Sequence, residues 1–220
     1  MATTSMNDDK ALHLLISWFS PSFPIGGYCY SHGLEQVISD GLVGTEAELR
    51  SWIADVLVAG SGRKDAILLS ESWKARSDRR VMEIARYAEA LSPSRERHRE
   101  TMELGKAFAL TVNSVLGYSL APMAYPVVAG RAASMSGCPL PDTLRFFLHA
   151  FATGLVSAAV RFMPLGQTSG QRVLNSLFQT CNQVADSAAG AGLDEIGGCA
   201  FLSDIASMKH ETMNPRIFLT

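Results

Sequence analysis

A chain of 220 residues, 47% of them hydrophobic, is long enough to bury one sizeable core and is expected to form a single domain. With 19 basic and 21 acidic residues, a net charge of −2 and a pI near 6.2, it lacks the basic excess that would attract nucleic acid or an anionic membrane surface. The cysteines Cys29, Cys138, Cys181 and Cys199 are widely spaced and the N-terminus has no basic-then-apolar leader, which argues against a secreted disulfide framework and for free thiols in the cytoplasm.

Taken in chain order, residues 1–8 read as a flexible lead-in. Leu12, Leu15, Ile16 and Phe19 then make the first helical stripe. The segment from Ser20 to Tyr28 holds two prolines, two glycines and three large apolar side chains, the composition of a rigid, packed turn. Thr45 and Glu48 have capping-box spacing, which starts a helix near Glu46 whose stripe is Leu49, Trp52, Ile53, Val56 and Leu57. Gly60-Ser61-Gly62 breaks the chain, Ser77-Asp78 caps a helix over 79–91, and Ser92-Pro93 opens the next.

The charged run from Arg95 to Glu100 reads as a solvated face, because Glu96 and Arg99, and Arg99 and Glu103, are neighbours on a helix surface. Phe146 to Val160 is the most apolar stretch, but it is bounded by Arg145 and Arg161 and falls short of the roughly 17–25 residues of a membrane span. It is expected to be a core helix. Pro164 ends that helix, and Thr168 with Gln171 has the spacing to cap another. Asp194-Glu195 reads as a solvated turn and cap. Asn214-Pro215 should end the last helix and leave an extended tail. The fold class is all-α, a single-domain bundle of about nine or ten helices counted by these signals.

A search for chemistry mostly fails. Gly105-Lys106 lacks the upstream glycine and the following Ser or Thr of a phosphate loop, and no Gly-x-Gly-x-x-Gly occurs. His210-Glu211-Thr212-Met213-Asn214 has Asn where a zinc-binding helix needs its second His. His13, His32, His98 and His149 lie at no ligand-like spacing and read as surface or hydrogen-bonded core residues. Cys29 is three residues before His32, but adjacency alone supplies neither the geometry nor the field that activates a thiolate. No catalytic set is assigned, and the chain is read as a non-enzyme.

Three stretches stand out. The first runs from Ser20 through Phe23-Pro24-Ile25-Gly26-Gly27-Tyr28 to Tyr30-Ser31-His32-Gly33-Leu34-Glu35. The second is Ala159-Val160-Arg161-Phe162-Met163-Pro164-Leu165-Gly166-Gln167-Thr168 followed by Gly170-Gln171-Arg172. The third is Asp204-Ile205-Ala206-Ser207-Met208-Lys209-His210-Glu211-Thr212. In this order and spacing they resemble the UreF family of urease accessory proteins. Two departures appear: Leu219 stands where relatives often carry Arg, and Gly154 where many carry Asn.

The resemblance implies an all-helical homodimer that acts as a nickel-insertion chaperone. It would bridge a UreD/UreH-type accessory protein and the UreG-type GTPase on the urease apoprotein, with nickel and GTP handled by the partners and no cofactor held stably. The partner-binding residues so implied are Pro24, Gly26, Gly27, Tyr28, Ser31, Gly33 and Glu35 in the first block, and Pro164, Gly166, Gln167, Gln171 and Arg172 in the second. His210, Glu211 and Arg216 complete the set as part of a docking tail over 210–220. Glu35 and, second to it, His32 are transit candidates for a metal. Each block also has a purely structural reading: a buried turn for the first, helix capping for the second, a fraying end for the third. The alternative is a helical small-molecule-binding protein or enzyme with a pocket the sequence does not reveal.

Overall fold

A computed structural model of the chain describes residues 6–198 and 200–219. The expected flexible lead-in falls on 1–5, outside the described residues, and on 6–8, whose backbone already belongs to the first helix. Cys199 also lies outside them.

Local chemistry starts the helices where side chains can satisfy free N–H groups. Thr45 and Glu48 form the reciprocal capping box, with Glu48 N–H donating to Thr45 Oγ1 at 3.3 Å and Thr45 N–H to Glu48 Oε2 at 3.0 Å. Ser77 caps Asp78–Ala90 through the Arg80 N–H. The next helix does not open at Ser92-Pro93: its cap is Ser94, whose Oγ accepts from Arg97 N–H. The block at 166–172 differs too, since its helix begins at Gln167 behind Gly166, so Thr168 already lies inside it and caps nothing.

In chain order the α-helices are α1 (Met6–Trp18), α2 (Leu34–Ser39), α3 (Glu46–Val58), α4 (Ser61–Lys74), α5 (Asp78–Ala90), α6 (Arg95–Leu116), α7 (Tyr125–Met135), α8 (Leu140–Phe162), α9 (Gln167–Ser176), α10 (Phe178–Gly190) and α11 (Phe201–His210). Short 3-10 turns cover Gly27–Cys29 and Leu193–Glu195, and no strand occurs among the described residues. The all-α class is thus observed. The α-helices number eleven among the described residues, with α9 and α10 separated only by Leu177.

Helices α4 and α7 sit at the centre, α7 buried over most of its length and α4 along Ala66–Ser70 and Ser72, with no fully exposed residue in α4. Their axes approach closely because α7 is built from small residues; a Cβ on Gly130 would lie 2.3 Å from the Leu69 carbonyl oxygen. Ser72 Oγ donates to the Val127 carbonyl at 2.7 Å and closes the same contact. Around this pair, α3, α5, α6, α8 and α10 bury one stripe each in a single apolar core.

Helix α8 is longer than the sequence suggested. Its 23 residues would suffice in length and apolarity to cross a bilayer, but Leu144, Phe147, Leu148, Ala152, Leu155, Val156 and Ala159 are buried against neighbouring helices, as a core helix requires. The turn after α1 is packed, as expected: Phe23 lies 5.5 Å from Phe108 between ring centroids, and Phe108 also meets Trp18 and Tyr125 at 5.6 Å. Phe108 is fully buried at this junction. Phe108→Ala is expected to cost about 3–5 kcal/mol, measured by urea denaturation, because the aromatic cluster cannot collapse into the space left.

Candidate functional site

The first and third blocks, 170 residues apart in sequence, pack directly on each other. Two successive left-handed residues, His32 (φ 55°) and Gly33 (φ 75°), turn the chain into α2. Gly33 leaves no room for a side chain: a Cβ there would stand 2.7 Å from Ser207 N and 2.9 Å from the Ala206 carbonyl carbon in α11. Glycine therefore serves both the turn and the close approach of α11.

This approach buries Glu35 and His210 together. His210 Nε2 lies 3.1 Å from Glu35 Oε2, and its Nδ1 2.8 Å from Oε2 of Glu96 in α6. The tail after α11 folds back over the same spot. Ile217 N–H donates to Glu35 Oε1 at 2.8 Å and Phe218 N–H to Glu35 Oε2 at 2.9 Å. Leu219 N–H adds a bond of 2.7 Å to the Cys29 carbonyl. Arg216 pairs with Glu96 Oε1, and Arg95 holds Glu211 through both guanidinium and main chain. Phe218 is buried with the Arg161 guanidinium 4.7 Å above its ring, and Arg161 also donates to the Tyr28 carbonyl at 2.7 Å. Arg161 of the second block thereby ties the first block to the tail.

A second ionic cluster lies one turn along α6, with Arg97 and Glu100 buried and His32 and Asp65 part-buried. His32 Nε2 is 2.8 Å from Glu100 Oε1, Arg97 pairs with Glu100, and Asp65 of α4 stands 3.8 Å from Arg97. Burial, then the Arg97 charge, lowers the His32 pKa; its Nε2 also lies 3.2 Å from Arg97 Nη1, and its buried Nδ1 has no hydrogen-bond partner. Burial pushes Asp65 up to about 6 against the pull of Arg97. For Glu100, burial also acts upward, but Arg97 and His32 outweigh it and bring the carboxyl down to about 2. These groups floor a cavity of about 380 Å³ walled by aromatic side chains including Trp18, Phe19, Tyr125 and Phe147. Gly154 opens onto it with nothing within 4 Å of a Cβ position, so a side chain would fit there.

Several expected surface residues are therefore internal. Ser31, Gly33, Glu35 and His210 are buried, and Tyr30 is too, donating to Glu103 Oε2 at 3.1 Å. Ser31 accepts the Glu35 N–H, an early cap for α2. Glu211 and Arg216 are engaged within the chain. Pro24, Gly26, Tyr28, Pro164, Gly166, Gln167, Gln171 and Arg172 do lie at the surface, with Gly27 half-buried at its 3-10 turn. Arg172 also reaches Glu46 Oε1 at 2.7 Å. As for metal transit, both Glu35 oxygens already accept hydrogen bonds, and no group of three or more His, Cys, Asp or Glu side chains is arranged to hold a metal ion among the described residues. His32 turns to Glu100 rather than to Cys29, and burial raises the Cys138 and Cys181 thiols to about 11.

The expected solvated face of α6 holds for Arg99 and Glu103, 2.9 Å apart, but not for Glu96, Arg97 and Glu100. A signal for them exists. The stripe Leu104, Phe108 and Val112, continued backwards at helical spacing, runs through Thr101, Glu100 and Arg97.

Comparison with known proteins decides the family. The UreF family model matches residues 43–178. The urease accessory protein UreF of Cereibacter sphaeroides strain KD131 is 50% identical over 210 residues, covering 96% of this chain and 99% of its own. The chain belongs to the UreF family. The proteins of the same name from Mesorhizobium japonicum (45% identical, 98% of this chain and 99% of theirs) and Roseobacter denitrificans (46%, 94% and 92%) are similar over the same extent. Of the three blocks the family model spans only the second, whereas the matches to these relatives extend over 94–98% of the chain.

Glu100 yields a pH test. Its folded carboxyl binds a proton less readily than the ordinary value of 4.5 implies, so it adds stability above that pH which is lost as pH falls toward about 2. Glu100→Gln also strands the buried Arg97 charge. It should cost about 3–5 kcal/mol at pH 7, and urea titrations should find the gap from the native sequence narrowing below pH 4.5. A gap independent of pH contradicts the assignment.

Proposed function

We propose that this chain is a urease accessory protein, a nickel-insertion chaperone that docks a UreD/UreH-type protein and a UreG-type GTPase on the urease apoprotein in the cytoplasm. The observation that carries the reading is identity of 42–50% to proteins named urease accessory protein UreF along nearly the whole chain. In this reading the work is presentation. Nickel is the cargo and GTP the partner's fuel, and the chain works as a homodimer that times and orients their use.

The chain's own chemistry supports a docking role. Its ionic clusters are spent internally on holding the first block, α6 and the tail in one arrangement. That leaves a rigid outer surface on which Tyr28, half exposed, and the exposed Gln167 and Gln171 stand. Rigid presentation lowers the ordering cost of association. The outer tail adds a groove of about 580 Å³ between α2 and residues 212–217, suited to a partner segment. A second reading, small-molecule binding, is favoured only by the aromatic-walled cavity of about 380 Å³.

Size-exclusion chromatography with light scattering tests the proposal, using the chain with its cognate UreD/UreH-type and UreG-type proteins, nickel and GTP. A stoichiometric complex is expected. Failure to co-elute with either partner sinks the reading, and ligand-induced thermal stabilisation by a metabolite would then favour the cavity. Tyr28→Ala and Gln171→Ala should weaken the complex by roughly tenfold or more, about 1.4 kcal/mol or above, with the melting temperature unchanged.

A further inference from the structure

The ionic cluster on the floor of the aromatic cavity is incompletely satisfied, and what it lacks is specific. Glu100 has His32 Nε2 at 2.8 Å from Oε1 and Arg97 Nη1 on Oε2. Arg97 Nη1 also lies 3.2 Å from His32 Nε2, so this end of the guanidinium is engaged. The other end is not: Nη2 stands 3.8 Å from Asp65, too far for a hydrogen bond. Among the described residues no hydrogen bond reaches the Asp65 carboxylate, or Nε and Nη2 of Arg97. A carboxylate without a donor and a guanidinium edge without an acceptor therefore stand side by side.

Both residues line the cavity, and Arg97 is only 7% exposed. Polar groups so enclosed are costly to leave unpaired. Charge narrows what can fill the gap. Arg97 is positive, Glu100 and Asp65 are negative, and burial lowers the pKa of His32 and His149, which favours their uncharged forms. Lys64, next to Asp65 in sequence, faces Asp204 at 4.0 Å. Negative charge thus exceeds positive around the cavity, and a carboxylate ligand is disfavoured. An ammonium would meet Asp65 but oppose the Arg97 charge and leave its free edge without an acceptor. A carboxamide offers an N–H to the one and a carbonyl to the other, and adds no charge.

We propose that the cavity binds a small aromatic carboxamide, its ring against the aromatic walls, its N–H donating to Asp65 and its carbonyl accepting from Arg97. The volume of about 380 Å³ is that of a small-molecule site, and Trp18, Phe19, Tyr125 and Phe147 supply ring contacts. The exposed Tyr28, Gly154 and Gln171 line its outer part, and the missing side chain at Gly154 keeps that part open. The competing occupant is water, which also bridges a donor and an acceptor held this far apart. The inference goes beyond the docking reading and fails separately from it, because a chain that docks urease proteins can hold such a molecule or not.

Ligand-observed NMR titrations of the full chain near pH 7.5 test it with three probes of nearly the same shape. Benzamide carries donor and acceptor, acetophenone the acceptor alone, and benzoate acceptors with a negative charge. Benzamide should bind about tenfold or more tighter than acetophenone, because the ketone leaves Asp65 without a donor, and benzoate should bind least. Asp65→Ala should abolish the preference for benzamide over acetophenone. Gly154→Phe, which fills the outer part of the cavity, should weaken both. Equal affinity for the three probes, a preference that survives Asp65→Ala, or no binding of benzamide overturns the proposal, the last leaving water as the occupant. Should Asp65→Ala not fold, the ranking in the native chain and the loss in Gly154→Phe decide, since Gly154 is exposed and a Cβ there meets nothing within 4 Å.

Discussion

The arrangement of this molecule depends on a carboxylate that cannot be left alone. Glu35 is carried into the interior by the turn at His32-Gly33, and an ionised carboxylate away from water is costly unless paired and hydrogen-bonded. Its partners come from the far end of the chain: the His210 ring and two consecutive N–H groups of the tail. The need to satisfy one side chain therefore fixes where the last nine or so residues go. Through Glu96 and Arg216 it also fixes how α6 meets them. Interactions of this kind specify an arrangement more than they add stability, because desolvation cancels much of the Coulomb attraction.

Helix α6 joins the two ionic clusters. Glu96 faces the tail, while Arg97 and Glu100 face the cavity and α4, so a shift of this helix would disturb both at once. The surface pair Arg172 and Glu46 has comparable geometry but lies in water, where such a pair contributes little to stability. Burial, not distance, separates the ion pairs that organise this fold from those that merely decorate it.

Much of the helical framework was legible in the sequence because it is governed by local chemistry. The Thr45–Glu48 box starts α3 as read, and the Pro- and Gly-rich turn after α1 is packed as its aromatics implied. Thr168 was misread because capping-box spacing is a necessary feature and not a sufficient one: Gly166 had already started the helix. The assignment of Glu96, Arg97 and Glu100 to solvent failed for a different reason. Local pairing rules favour a solvated face, and only the register of the apolar stripe further along α6 shows that these charges point inward. The meeting of Glu35 with His210 and Phe218 is a long-range contact that no local pattern encodes. Motif resemblance marked those segments as important, and in this fold they pack against each other.

The most direct measurement is a double-mutant cycle between Glu35 and His210. Unfolding free energies would be taken from urea titrations of the native chain, Glu35→Gln, His210→Gln and the double variant. If these side chains form one buried unit, each single change leaves a buried polar partner behind and the double change does not, giving a coupling energy of about 1–3 kcal/mol. Additive effects, with coupling near zero, would contradict the account and make the contact between the first block and the tail incidental.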